Sequence, residues 1–149
     1  MYTTAADNGH ARAQWQLGYA YEDGLLGLKI DIEMALIWFK KAAAGGGNVF
    51  SRDAQFRLGK ANEFGELTLA IDLEAARTWY HEAAGGGDLD AQCRLGFAYV
   101  YGYLGLKTDF DMALMWFKKS AEGGHIISLW RLGVAYRGDS IQTKPTWAR

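Results

Sequence analysis

A Leu-Gly pair recurs along this chain, and each of the first three pairs is followed at a fixed distance by a tryptophan. The glycines and their tryptophans, always 20 residues apart, are Gly18 and Trp38, Gly59 and Trp79, and Gly96 and Trp116. A fourth pair, Leu132-Gly133, has no such tryptophan. A period of this size is typical of helical solenoids, in which each unit buries its apolar face against its neighbours. We therefore predict an all-α solenoid.

Each unit divides into two predicted helices. Apolar residues three or four positions apart around the Leu-Gly pair predict the first, helix A. A glycine inside a helix costs about 1 kcal/mol relative to alanine, so its recurrence at one position indicates that a neighbouring helix passes too close for a β-carbon. Helix B is predicted over residues 31–44, 72–84 and 109–122. Each helix B begins at an aspartate suited to N-capping and ends at a run of glycines.

These units predict a single repeat domain over residues 1–149, with partial repeats at both ends. The full repeats cover about 11–47, 52–87 and 89–124, followed by a half repeat at 126–138 and an irregular tail at 139–149. Residues 2–9 have the pattern of the end of an earlier helix B. Four additional residues, around Asn48 to Arg52, separate helix B of the first unit from helix A of the second.

The repeated pattern reads Ala-x-x-x-Leu-Gly-x-x-Tyr-x-x-Gly, a loop, then Asp-x-x-x-Ala-x-x-Trp-Phe/Tyr-x-x-Ala-Ala-x-x-Gly, and covers residues 5 to about 138. It resembles the Sel-one-like repeat family, a relative of the tetratricopeptide repeats. The resemblance implies antiparallel helix pairs stacked into a right-handed superhelix that acts as an adaptor or scaffold. It also implies a bacterial setting, where members are linked to host interaction, secretion systems and immunity to toxins.

Charge, apolar runs and cysteine content argue against some partners and indicate a cellular location. The formal net charge of −1 gives no electrostatic reason to expect nucleic acid or an anionic membrane. No apolar run approaches the roughly 20 residues that span a bilayer. The single cysteine, Cys93, fits a reducing compartment, and residues 1–4 lack the pattern of a secretory signal. We expect a cytoplasmic protein, or a periplasmic or secreted one if the chain is a fragment without its signal.

The sequence predicts no group of side chains arranged for catalysis or for metal binding. His81-Glu82 begins a metalloprotease-like pattern, but Gly85 stands where the second histidine would be needed. Cys93 occupies a helix position filled by aromatic residues in the other units, so we expect a small apolar packing residue. We therefore predict no catalytic residues, no metal site and no cofactor. A hydrolase-like enzyme is kept only as a remote alternative.

The candidate binding surface lies on helix A. By analogy with tetratricopeptide units, helix A lines a concave groove, and three positions around each Leu-Gly pair face it. The residues predicted to contact a partner there are Trp15, Tyr19, Phe56, Lys60, Phe97, Val100, Val134 and Arg137. Aromatic anchors in such a groove suit a peptide helix or an extended segment. The alternative is that Trp15, Phe56 and Trp130 belong to the core between repeats.

Two functions remain open on this evidence. The first is an adaptor that binds another protein or peptide in the groove, with an immunity or effector-associated protein as a specific version. The second is a structural subunit whose partner is another copy of itself, since solenoids need capped ends and this chain has half repeats at both.

Overall fold

The computed structural model describes residues 2–137, and every regular element in that range is an α-helix. The chain divides after Asp88 into two compact units. The first unit contains α1 (Tyr2–Asp7), α2 (Ala11–Asp23), α3 (Ile32–Ala43), α4 (Val49–Phe64) and α5 (Leu73–Gly85), and the second contains α6 (Leu89–Tyr101), α7 (Phe110–Glu122) and α8 (Ile126–Tyr136). Gly138, the predicted end of the half repeat, and the predicted tail at 139–149 lie outside the described residues.

Each helix A and the helix B that follows it form an antiparallel hairpin. In the first hairpin the backbone N–H of Asp31 donates to the carbonyl of Tyr21 at 2.9 Å, which joins the end of α2 to the start of α3. The Asp31 side chain then accepts from the N–H of Met34 at 3.0 Å. Asp72 and Asp109 cap α5 and α7 in the same way. The predicted all-α fold and its three aspartate N-caps are confirmed.

The glycine of each complete hairpin lies against an aromatic ring of its own helix B. A β-carbon at Gly18 would meet the Phe39 ring at 2.6 Å, and one at Gly59 would meet the Tyr80 ring at 2.7 Å. Contacts under 3.0 Å are sterically forbidden for a buried ring that cannot move, and both rings are fully buried. The predicted close approach of a neighbouring helix is therefore confirmed, and its partner is the residue directly after each tryptophan.

The additional residues at the start of the second repeat lengthen a helix. Helix α4 has 16 residues, whereas α2 has 13, and the difference lies at its start. Asn48 is the N-cap, and its side chain accepts from the N–H of Ser51 at 3.0 Å. The inserted segment is therefore an extra capped turn, which brings Phe50 to 5.4 Å, between ring centroids, from Trp15.

The loops from helix A to helix B contain two consecutive left-handed residues, which sequence reasoning did not predict. In the second repeat these are Leu67 (φ 52°) and Thr68 (φ 63°), closed by a hydrogen bond from the N–H of Leu69 to the carbonyl of Glu66 at 3.0 Å. This is the geometry of a type I′ turn, which normally requires Asn or Gly. Leu67 compensates by burying its side chain in the core that contains Phe39.

The core of each unit is formed by the apolar stripe of helix B. In the first unit, Phe39 packs with alanines of α3 and α4, while Trp38 packs with Ala6 of α1 and Leu17 of α2. In the second unit, Phe117 packs with Cys93, Val100 and Ala113. The short helix α1 thus occupies the place of a preceding helix B against α2.

Candidate functional site

Trp15 and Tyr19 share one carboxylate on the neighbouring helix A. The Trp15 indole N–H and the Tyr19 hydroxyl both donate to Oδ2 of Asp53, the latter at 3.2 Å. Their rings meet edge to face with centroids 5.1 Å apart, and Tyr19 also meets the Phe39 ring at 4.9 Å. Burial, reinforced by the negative charge of Asp53, raises the pKa of the Tyr19 phenol above its ordinary value. Both side chains are half-buried and held in fixed positions.

One turn further along, an arginine of α4 joins two acids. Arg57 donates to Glu22 of α2 through two nitrogens and to Oε2 of Glu66 at 2.6 Å. Its guanidinium lies 6.0 Å from the centroid of the Phe39 ring. Burial alone would lower the pKa of Arg57, but the hydrogen bonds and charges of the two glutamates outweigh burial and raise it. Arg57 is therefore a fixed cation that joins the first repeat to the second.

Phe56 and Lys60 lie next to each other on α4 and are half-buried. The Lys60 ammonium is 5.9 Å from the centroid of the Phe56 ring, which itself lies 5.6 Å from the Tyr80 ring. The Tyr80 hydroxyl donates to Oε2 of Glu63 at 2.6 Å. This surface therefore combines an aromatic ring, a cation and an acid.

The second unit places its four predicted residues in different environments. Phe97 is half-buried, stacked on Tyr101 at 6.2 Å and edge to face with Phe117 at 5.2 Å between centroids. Arg137 is exposed at the end of α8. Val100 and Val134 are buried. These two valines offer almost no surface, so a partner would contact mainly the other six predicted residues.

Sequence reasoning did not identify Asp53 or Glu22 as partners of the aromatic and basic residues. Asp53 lies 38 residues from Trp15, and Glu22 lies 35 residues from Arg57. The available signal was the spacing of the repeats, since positions 12, 53 and 90 are equivalent and carry Arg, Asp and Asp. Equivalent positions with different charges indicate contacts specific to one repeat junction.

A cavity of about 420 Å³ lies beside the first helix A. It is lined by Trp15, Gln16, Tyr19, Ala20, Asp23, Leu25 and Leu26. Its walls are mainly apolar, and the Asp23 carboxylate is the one charged group among these residues. Leu25 and Leu26 are both more than half exposed at its edge.

The second unit contains a chain of acid, histidine and hydroxyl that the sequence did not reveal. Asp90 and the Nε2 of His125 are 3.0 Å apart, and the His125 Nδ1 and the Ser128 hydroxyl are 3.2 Å apart. Nucleophilic catalysis needs a hydroxyl that a substrate can reach. The Ser128 side chain is 0% exposed, so this chain joins α6 to the start of α8 and does not form a hydrolytic site.

Residues 2–137 contain no cluster of three or more side chains that could hold a metal ion. The Nδ1 of His81 is 2.8 Å from the carbonyl of Arg77, one turn back on the same helix. Cys93 is buried, and burial raises the pKa of its thiol to about 11, so the thiol stays protonated and unreactive at neutral pH. Over the same range, no helix is long and apolar enough to cross a bilayer.

Both a family model and solved structures match this chain. The model of the Sel1 repeat family matches residues 11–47, 52–88 and 89–125. A Sel1 repeat protein from Oxalobacter formigenes is 32% identical in a superposition with a TM-score of 0.80, which covers 89% of this chain and 94% of that one. No protein of curated function matches.

A second solved structure has the same fold. The c5321 protective antigen of uropathogenic Escherichia coli, which displays an SLR fold, is 33% identical with a TM-score of 0.78. The superposition covers 92% of this chain but 28% of the antigen, so this chain spans less than a third of that protein's length. The four residues between the first two family matches, 48–51, coincide with the extra turn of α4.

Proposed function

Because this chain belongs to the Sel1 repeat family, we propose that it is an adaptor that binds a partner polypeptide along the half-buried and exposed side chains of its A helices. Sel1 repeat proteins are in general non-catalytic scaffolds that bind other proteins. The proposed contact residues are Trp15, Tyr19, Phe56 and Lys60 in the first unit and Phe97, Arg137 and the buried Val100 and Val134 in the second.

The observation that carries the proposal is the shared hydrogen bonding of Trp15 and Tyr19 to Asp53. Aromatic side chains dominate the binding energy of protein interfaces when they are held in place before the partner arrives. Asp53 fixes both side chains, and the Phe50 ring of the extra turn supports Trp15 from the side. A partner would therefore lose little conformational entropy in ordering this surface.

The charges next to these rings indicate the chemistry of the partner. Lys60 lies over Phe56, so an acidic side chain followed by an apolar one would match this pair. Arg57 is already neutralised by Glu22 and Glu66 and has little left to offer a ligand. We therefore propose an amphipathic segment with acidic residues beside apolar anchors.

The test begins with selection of a binding peptide from a displayed library on the purified chain, followed by calorimetric titration of that peptide. Lys60→Glu reverses a charge on the proposed surface, and Lys41→Glu is its matched control because Lys41 lies over the Trp38 ring at 4.3 Å, away from the predicted row. We expect Lys60→Glu to weaken binding about tenfold, which is about 1.4 kcal/mol, and Lys41→Glu to leave it unchanged.

A double variant tests the aromatic part of the surface. Tyr19→Ala combined with Phe97→Ala removes one ring from each unit, and circular dichroism checks that the helices persist. We expect loss of the selected peptide from this variant. Equal binding by the wild-type chain, the double variant and Lys60→Glu would contradict the proposal.

A narrower version takes the partner to be a bacterial toxin or effector that this chain blocks or presents. It is supported by the family resemblance alone. A partner that is toxic when expressed by itself and tolerated when co-expressed with this chain would support it, while a partner that is harmless by itself would contradict it.

We also propose that the protein lies in the cytoplasm. Its single cysteine is buried, and the raised pKa of that thiol disfavours disulfide exchange. Fractionation of cells that express the chain from its natural gene tests this, and recovery from the periplasm or medium would contradict it.

A further inference from the structure

Helix α8 exposes a face that is buried on the equivalent helix α6. Positions on the two helices correspond with an offset of 37 residues, so Gly96 corresponds to Gly133. A β-carbon at Gly96 would meet the Phe117 ring at 2.7 Å, whereas one at Gly133 would meet no described atom within 4 Å. Cys93, which is buried in the cluster with Phe117, corresponds to Trp130, which is 42% exposed. The face of α8 that corresponds to the α7-packing face of α6 is therefore exposed.

In the first repeat, Leu26 is exposed although the equivalent leucines of the later repeats are buried. Leu26 is 58% exposed with φ 54°, although its equivalents Leu67 and Leu104 are 4% and 3% exposed. A bulky residue with positive φ is strained, and Leu67 and Leu104 offset that strain by burial. Leu26 instead borders the cavity of about 420 Å³.

That cavity lies on the side of α2 that corresponds, in the second repeat, to the contact with the preceding repeat. It is lined by Gln16, which is equivalent to Arg57 of the second repeat. Arg57 lies over Phe39 and pairs with Glu22, both of which belong to the first repeat. The cavity beside Gln16 is therefore shaped for the last turns of another helix A.

Helix α1 supplies the complementary half of a repeat. Ala5 and Ala6 correspond to the Ala-Ala pair that ends helix B in the first two repeats, and Ala6 is buried against α2. Counted in the same register, Tyr2 holds the position of Phe39, Tyr80 and Phe117. The described residues thus begin with the end of a helix B and finish with a helix A.

We propose that α8 of one copy and α1 of a second copy together form a repeat, so that copies of this chain associate head to tail. In this arrangement α1 of the second copy packs against Gly133, and Trp130 and Arg137 face the cavity beside Leu26. The charges are complementary, since Arg137 meets the cavity that contains the Asp23 carboxylate. At the first junction Glu22, which corresponds to Arg137, pairs with Arg57, which corresponds to Gln16 of the cavity. This surface shares Trp15, Tyr19 and Arg137 with the partner surface proposed above and adds the exposed face of α8 and the loop at Leu26.

Head-to-tail contacts do not close by symmetry, so the expected products are dimers, trimers and longer series. Sedimentation velocity of the full chain from about 1 μM to about 1 mM should show a mean mass that rises steadily with concentration. A monomer at every concentration would overturn the proposal. A single closed dimer that never grows would also overturn it.

Two variants block one end each. Gly133→Leu places a side chain in the space proposed for the second copy, and no described atom of the same chain lies within 4 Å of an added β-carbon there. Gly85→Leu is the matched control, since Gly85 is also helical and an added β-carbon there would meet none of the described atoms within 4 Å. Leu26→Asn removes the apolar contact at the other end and suits the positive φ. We expect both end variants to be monomers and Gly85→Leu to behave as the wild-type chain.

Mixing the two end variants gives the sharpest test. Gly133→Leu retains an intact first end, and Leu26→Asn retains an intact α8. An equimolar mixture should therefore form a heterodimer and nothing larger. A mixture that stays monomeric while the wild-type chain associates, or association that survives in Gly133→Leu, would overturn the proposal. Trp130→Ser provides a second α8 variant if Gly133→Leu fails to fold.

Discussion

Gly96 lies so close to the ring of Phe117 that a β-carbon on residue 96 would come within 2.7 Å of the ring. The two residues are 21 positions apart, as are Gly18 and Phe39, and Gly59 and Tyr80. This contact fixes the distance between the two helices of each hairpin. It also explains why the glycine and the aromatic residue after each tryptophan recur together.

Alanine at this position should have opposite effects in two helices of the second unit. Gly96→Ala forces the fully buried Phe117 ring to move, so we expect the free energy of unfolding to fall by about 2 kcal/mol. Gly133→Ala meets no described atom and should raise it by about 1 kcal/mol, because alanine favours a helix. Urea denaturation of both variants measures the difference. Equal effects at both positions would contradict the role of the ring.

Arg57 should contribute to stability through its two glutamates. Arg57→Met removes the cation and leaves the carboxylate of Glu22 partly buried without its partner, so we expect a loss of about 2 kcal/mol, less than for a fully buried pair. Glu22→Gln in the same chain should recover part of that loss. A double-mutant cycle measures the coupling, and purely additive effects would show that the pair is not coupled.

Tyr19 should make stability depend on pH at the alkaline end. Its pKa is raised in the folded chain above the value of about 10 for a free tyrosine, so folding favours the protonated phenol. The stabilisation is therefore complete below pH 10 and is lost as the pH rises further, with a slope of at most about 1.4 kcal/mol per pH unit. Tyr19→Phe should show a flatter profile from pH 9 to 11. Identical profiles for both chains would contradict this assignment.

Thr68 should be a point of strain in the second loop. It has a φ of 63° and occupies the place that Gly27 and Gly105 take in the other loops. We expect Thr68→Gly to raise the free energy of unfolding by about 1 kcal/mol, because glycine adopts this conformation freely. Thr78→Gly is the control, since Thr78 lies inside α5 and this change should lower the free energy of unfolding by about 0.4 kcal/mol. Thermal denaturation compares the two, and a loss of stability in both would exclude strain at residue 68.

The sequence by itself determined the fold of each repeat. The spacing of Leu-Gly pairs and tryptophans predicted the hairpins, and Asp31, Asp72 and Asp109 marked where each helix B begins. These features depend on contacts within one helix or between adjacent helices, and such contacts follow from the 3.6-residue period and the caps. The close approach at each glycine was predictable for the same reason, since it repeats at a fixed distance.

Only the tertiary structure decided which side chains meet between repeats. The hydrogen bonds of Trp15 and Tyr19 to Asp53, the pairing of Arg57 with Glu22, and the burial of Val100 could not be predicted from spacing. Equivalent positions carry different residues at each junction, so their contacts depend on the neighbouring repeat and not on the local pattern. The exposure of Leu26 has the same cause: burial of a loop residue depends on a repeat that packs beside it, and no local sequence signal specifies that repeat.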